Sequence, residues 1–118
     1  MKVEKEKRLL SSRMLEYLAG QVEKSPERGK IKPFFVCIDY PKSGCEGVLF
    51  YENDLTDPTE QKRRIRVAMR KQGCDRLVSH YLFKGTREEC VAWMKDEQTL
   101  EILLEEFAQL KEDAMSMD

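Results

Sequence analysis

The chain has 118 residues, 41% of them hydrophobic and 36% charged, with 21 Lys and Arg against 22 Asp and Glu and a formal net charge of −1. That length and apolar content suit one domain with a core of its own, and six glycines and four prolines exclude long low-complexity stretches. No apolar run approaches the ~20 residues of a membrane-spanning helix, and the opening MKVEKEKRLL lacks a signal peptide's apolar core, so a cytoplasmic, membrane-free location is expected.

Residues 3–24 predict a first helix, because Val3, Leu10, Met14, Tyr17, Leu18 and Val22 recur at three- and four-residue steps between lysines and glutamates. SPERGKIK then punctuates the chain. PFFVCIDY, rich in aromatic and β-branched residues, predicts a strand, PKSG a turn, and CEGVLFYE the returning strand. With Tyr40 opposite Cys45, this hairpin pairs Phe35 with Phe50, Cys37 with Val48 and Asp39 with Glu46.

DPTE at 57–60 carries the marks of a helix start. Asp57 can cap, Pro58 suits the first helical position and Glu60 the capping-box position. A helix to about Gln72 follows, stopped by Gly73 in the left-handed conformation. DRLVSHYLF predicts a third strand, Gly85 a turn, and Thr86 with Glu89 a second capping box opening a helix over 87–95. The helix restarts at Asp96, and LEILLEEFAQL sets Leu100, Leu103, Leu104, Phe107 and Leu110 on one stripe. The tail EDAMSMD is expected to fray.

The expected fold is α+β: one domain over 1–118 in the order α-β-β-α-β-α-α, with a small three-stranded mixed sheet packed against helices. The N-terminal helix covers about 3–24, the sheet and a crossover helix about 33–84, and the C-terminal helices about 87–113. A right-handed crossover would give the sheet order 2-1-3.

Function is less constrained. QKRRIRVAMRK at 61–71 concentrates positive charge, and on a helix Ile65, Ala68, Met69 and Gln72 would form the buried stripe. Lys62, Arg63, Arg66 and Arg70 would then make an outward basic ridge able to hold phosphates through arginine's paired donors. Phe34, Phe50, Tyr51 and Tyr81 could stack on bases if a sheet face were open. Against this stands the charge map. Residues 60–87 carry nine bases and two acids, a net of +7, and residues 88–118 carry two bases and ten acids, a net of −8. The two segments can therefore satisfy each other, within one chain or between two, and an acidic helix nearby would repel a polyanion.

His80 is the sole histidine and a candidate base, but it alternates with Val78 and Leu82 along a strand, and Ser79 points to the other face. Asp39 and Glu46, opposite each other in the hairpin, could share a proton as an acid pair, and with His80 they are the pocket candidates. Glu52, Asp54 and Asp57 lack the glycine and ligand ladder of a calcium loop. Cys37, Cys45, Cys74 and Cys90 show no metal spacing and read as reduced structural thiols, with a Cys37–Cys45 bridge the alternative. No catalytic or cofactor motif is present. The leading expectation is a cytoplasmic protein-interaction or regulatory module that forms homodimers and has no catalysis, metal or cofactor of its own. Trp93, Leu100, Leu103 and Phe107 are its interface candidates. The alternative is a nucleic-acid-binding protein using the basic helix 60–72.

Overall fold

A computed structural model describes residues 8–9, 11–24, 34–37 and 44–116, with 8–9 and 34–37 described for their backbone alone. The elements are β1 (Arg8–Leu9), α1 (Ser12–Lys24), β2 (Phe34–Cys37), β3 (Cys45–Asn53), β4 (Arg63–Lys71), β5 (Leu77–Gly85), α2 (Arg87–Lys95) and α3 (Thr99–Met115). The sheet runs β1-β2-β3-β4-β5, with β1 parallel to β2 and every other pairing antiparallel. The α+β class is as expected, and its heart is the antiparallel set of β3, β4 and β5.

The expected central helix is a strand. Ala, Met, Arg and Lys favour helices in isolation, but RRIRVAMRK also has a period of two. Ile65, Val67 and Met69 alternate with Arg64, Arg66 and Arg70, as a sheet with one covered face requires. Long ladders to β3 on one side and β5 on the other override the weaker local preference. With no helix between β3 and β5 the expected crossover is absent, and β2 to β5 form an antiparallel meander rather than a 2-1-3 arrangement; the parallel pair is β1 with β2, on either side of α1 in the chain. The DPTE signal closes a loop instead. The Asp57 carboxylate accepts from Thr59 N (2.9 Å) and Lys62 N (3.1 Å), which is the turn chemistry that competes with helix capping in aspartate. Gly73 is left-handed as expected, at φ 83°. It serves the β4–β5 turn, closed by Cys74 N donating to Lys71 O at 2.9 Å.

Three other boundaries move. The first helix starts at Ser12, where the Ser11 hydroxyl caps it by accepting from Met14 N at 3.2 Å, and Arg8–Leu9 add a strand instead. Phe35 faces Val48, not Phe50. That shift of two residues keeps the same face, and Asp39 lies outside the described residues. The last helix continues to Met115 rather than fraying from Glu112. Elsewhere Thr86 and Glu89 form the expected reciprocal cap of α2.

α2 and α3 pack on one face of the sheet, and α1 packs on α2 and joins the same core. Leu18, Ala19 and Val22 of α1, Cys90 and Met94 of α2, and Leu103, Phe107 and Leu110 of α3 enclose Leu49, Tyr51, Ile65, Val67 and Met69. At Gly47 the Phe107 ring of α3 lies against the backbone of β3. A Cβ there would lie 2.9 Å from the Phe107 ring. No helix among the described residues is long and apolar enough to cross a membrane.

Candidate functional site

With odd-numbered residues of β3 and β4 facing the helices, the even-numbered ones face the other way. Glu46, Val48, Phe50 and Glu52 of β3 thus share with Arg64, Arg66, Ala68 and Arg70 of β4 a second face, open in that no helix among the described residues packs on it. On β5 a bulge opposite Ile65 and Arg66 changes the alternation. Phe83 pairs with Ile65 but Tyr81 pairs with Arg66, leaving Leu82 as the extra residue. Tyr81 and Lys84, three residues apart, therefore both reach the open face, opposite Arg66 and Arg64.

Phe50, Arg66 and Tyr81 form one row across three adjacent strands. The Arg66 guanidinium lies 4.0 Å from the Phe50 ring centre and 5.9 Å from that of Tyr81, and Arg64 lies 4.1 Å from Tyr81. Such contacts hold the guanidinium planes over the rings. Arg66 also reaches Glu52 (3.4 Å) and donates to the Ser79 hydroxyl (3.3 Å). Arg64 meets Glu52 at 3.8 Å and Asp54 at 3.7 Å, Arg70 meets Glu46 at 3.4 Å, and Lys84 meets Asp54 at 3.4 Å. Val48 and Ala68 on this face are buried, yet neither belongs to the core under the helices, and the Arg64 and Arg66 side chains are 19% and 21% exposed. Tyr81 remains 48% exposed and the Arg70 side chain 48%.

Asp54 anchors one end of the face and the loop beyond it. Its carboxylate accepts from the Thr56 hydroxyl at 2.7 Å and from Thr56 N at 3.0 Å. These bonds, together with the Lys84 ammonium, hold the acid below the usual carboxylate range. The Thr59 hydroxyl and amide, with Lys62 N, do the same for Asp57. A carboxyl whose pKa is lower folded than unfolded adds stability above the unfolded value of about 4, and that stability is lost as pH falls through the folded value. The urea midpoint should therefore fall progressively below about pH 4. Asp54→Asn should flatten part of that fall, and an unchanged profile between the two proteins would refute this role for Asp54.

Of the four basic residues singled out in the sequence, the open face collects Arg66 and Arg70. Lys62 is exposed in the preceding loop, and Arg63 points into the core at 2% exposure. Arg64, absent from that set, takes a central place, because a period of two groups 64, 66 and 70 where a helical period groups 63, 66 and 70. Tyr51 is buried beneath the helices and cannot stack on a ligand, and the Phe34 side chain lies outside the described residues.

The acid/base candidates separate. His80 faces the helices and meets the Glu106 carboxylate of α3 at 2.5 Å, whereas Glu46 is on the open face with Arg70. Surface clefts run along the helices, one lined by Glu97, Glu101, Ile102 and Glu105, another by Glu23, Arg87, Val91 and Lys95, and neither includes His80. No three His, Cys, Asp or Glu converge to hold a metal ion among the described residues. Cys45, Cys74 and Cys90 are free thiols, and burial pushes Cys90 up to about 12. The helical interface candidates are largely spent on this chain's own fold. Leu103 and Phe107 are fully buried in the core, Leu100 packs at its margin, and Trp93 stacks on Phe83 with ring centres 5.5 Å apart. Comparison with protein-family models, with curated proteins and with solved structures found no match, so the functional reading rests on the open face itself.

Proposed function

We propose that the protein is a small binding module without catalytic activity of its own, and that it takes nucleic acid on the open face of its sheet. The observation that carries this is the cross-strand row Phe50–Arg66–Tyr81, flanked by Arg64, Arg70 and Lys84. The carboxylates on the face do not block it. Partly exposed ion pairs contribute only ~0–1 kcal/mol each, so phosphate oxygens can take over the arginine donors from Glu46 and Glu52 with little net loss. Nor does the overall charge of −1 oppose it. The acidic 88–118 segment builds the helices, and α3 lies behind the sheet, roughly 10 Å from the open face. That is comparable to the ~8 Å screening length at physiological salt. The expectation that an acidic helix would repel the ligand applied to a helix beside the basic residues; here the sheet lies between them.

A second reading, a self-associating protein-interaction module, draws on Ile102 and Leu104, which α3 leaves half-exposed. A cytoplasmic setting is favoured by the three free thiols.

Fluorescence anisotropy with labelled DNA and RNA at two salt concentrations tests the first reading. Native protein should bind more weakly as salt rises, and an Arg66→Glu, Arg70→Glu variant should lose at least about tenfold in affinity, with a salt slope shallower by about 1.4–1.8. Circular dichroism checks that the variant is folded, and sedimentation gives the mass of both proteins. Absence of binding at low salt overturns the reading, and a dimeric mass would then favour the second.

A further inference from the structure

We propose that the ligand of the open face is single-stranded rather than duplex nucleic acid, its bases lying on the Phe50–Arg66–Tyr81 row and its phosphates on the surrounding arginines. This rests on the reading above and names the form of nucleic acid the same surface takes.

The row is a platform across three adjacent strands. Phe50, Arg66 and Tyr81 stand opposite one another on adjacent strands, and two inter-strand spacings set the two rings about 10 Å apart. The Arg66 guanidinium lies over the Phe50 ring at 4.0 Å and the Arg64 guanidinium over the Tyr81 ring at 4.1 Å, so the π-type surface offered outward is that of the guanidinium planes and of the ring surface they leave, Tyr81 being 48% exposed. Unpaired bases stack on aromatic rings and on arginine planes alike. In a duplex the base faces are already stacked on each other, and only edges and phosphates are offered. Reading those edges needs a helix or ribbon that enters a groove, whereas the platform lies on the face of a sheet.

The basic groups lie around this row, not along it. Arg64 and Lys84 pair across β4 and β5 on one side, and Arg70 stands opposite Glu46 and Leu77 on the other. A strand whose bases lie inward would bring its backbone past both groups. The platform is also wide enough in chemistry to be sequence-tolerant, because every base has a π face. Each arginine has a resting partner, Glu52 and Asp54 for Arg64, Glu52 for Arg66 and Glu46 for Arg70. These acids keep the guanidiniums splayed over the rings until phosphate replaces them. An acidic peptide could also replace them, but it would leave Phe50 and Tyr81 unused.

The test uses the full chain and a labelled single-stranded 15-mer, with three unlabelled competitors: the same strand, its duplex, and polyglutamate. Tyr81→Leu and Phe50→Leu remove the rings while keeping apolar side chains and charge. The single strand should compete at least about tenfold better than the duplex, and each leucine variant should bind the single strand about tenfold more weakly with an unchanged salt slope. Equal competition by duplex, with neutral leucine variants and persistent salt-sensitive binding, overturns this inference and leaves the broader reading standing. Polyglutamate competing as well as the single strand overturns it in favour of an acidic peptide. No binding to either nucleic acid overturns both.

Discussion

Phe107→Ala should destabilise the protein by about 3–5 kcal/mol, the range for truncating a buried phenylalanine. A domain of this size has about 5–15 kcal/mol in all, so the loss is a large part of the total and should lower the melting temperature by on the order of 15 °C. The argument begins with the sheet. β3 carries glycine at position 47, on the face turned to the helices, and the Phe107 ring occupies the volume a side chain would take, since a Cβ there would lie 2.9 Å from Cε1 and 3.1 Å from Cδ1. The same ring is completely buried among the core residues with Leu103 and Leu110. Glycine weakens a strand, and here that weakness is offset by bringing α3 close enough for its ring to seat. Gly47→Ala should cost about 1–3 kcal/mol by overpacking, and should cost less in a Phe107→Leu background, because the smaller side chain leaves room. Urea unfolding of the four proteins measures the coupling. Additive effects would show that the ring does not rest on Gly47, and a loss below about 1.5 kcal/mol for Phe107→Ala would show that α3 is not seated on the sheet.

What the sequence disclosed follows the strength of its local signals. The Thr86–Glu89 cap and the apolar stripe of α3 were legible because capping and a period of 3.6 are local properties. The 61–71 segment was not, because it satisfies two periods. Helix-favouring residues and a proline-led start agree on a helix, while Ile65, Val67 and Met69 alternating with Arg66 and Arg70 agree on a strand. The tie is broken only by β3 and β5 lying on either side, which no local window contains. That single error rearranged the candidate site. It put Arg63 with Arg66 and Arg70 and left Arg64 out, and it concealed the row joining Phe50 to Tyr81. The bulge that brings Tyr81 and Lys84 to one face is likewise absent from any simple alternation of LVSHYLFKG. Leu103 and Phe107 are free for a partner only where a three-stranded sheet offers the helices too little area. A sheet widened by β1 and β4 removes that shortage.

Arg63→Ala should destabilise the fold by about 2–4 kcal/mol without acting through the proposed nucleic-acid surface. Arg63 begins β4, and its side chain is turned inward, at 2% exposure, away from the face that holds Arg64 and Arg66. A buried guanidinium requires acceptors. It donates to Glu60 O at 2.5 Å and to Lys62 O at 3.3 Å, carbonyls of the loop that enters the strand. Glu60 is left-handed, at φ 57°, a conformation that non-glycine residues hold only when surrounding contacts enforce it. Arg63 supplies one of those contacts. It also lies beside Tyr51, whose hydroxyl burial pushes up to about 12 against the opposing pull of the guanidinium, and beside Cys90. Removing the side chain therefore strips donors from two loop carbonyls and leaves a void against the core. Arg63→Met keeps most of the stem and should lose less, since part of an arginine's contribution is packing. Urea unfolding of the two variants measures the difference, and anisotropy of the folded protein should show nucleic-acid affinity within about twofold of native. A stable Arg63→Ala variant that binds at least tenfold more weakly would place Arg63 at the ligand and overturn the separation of faces on which the functional reading depends.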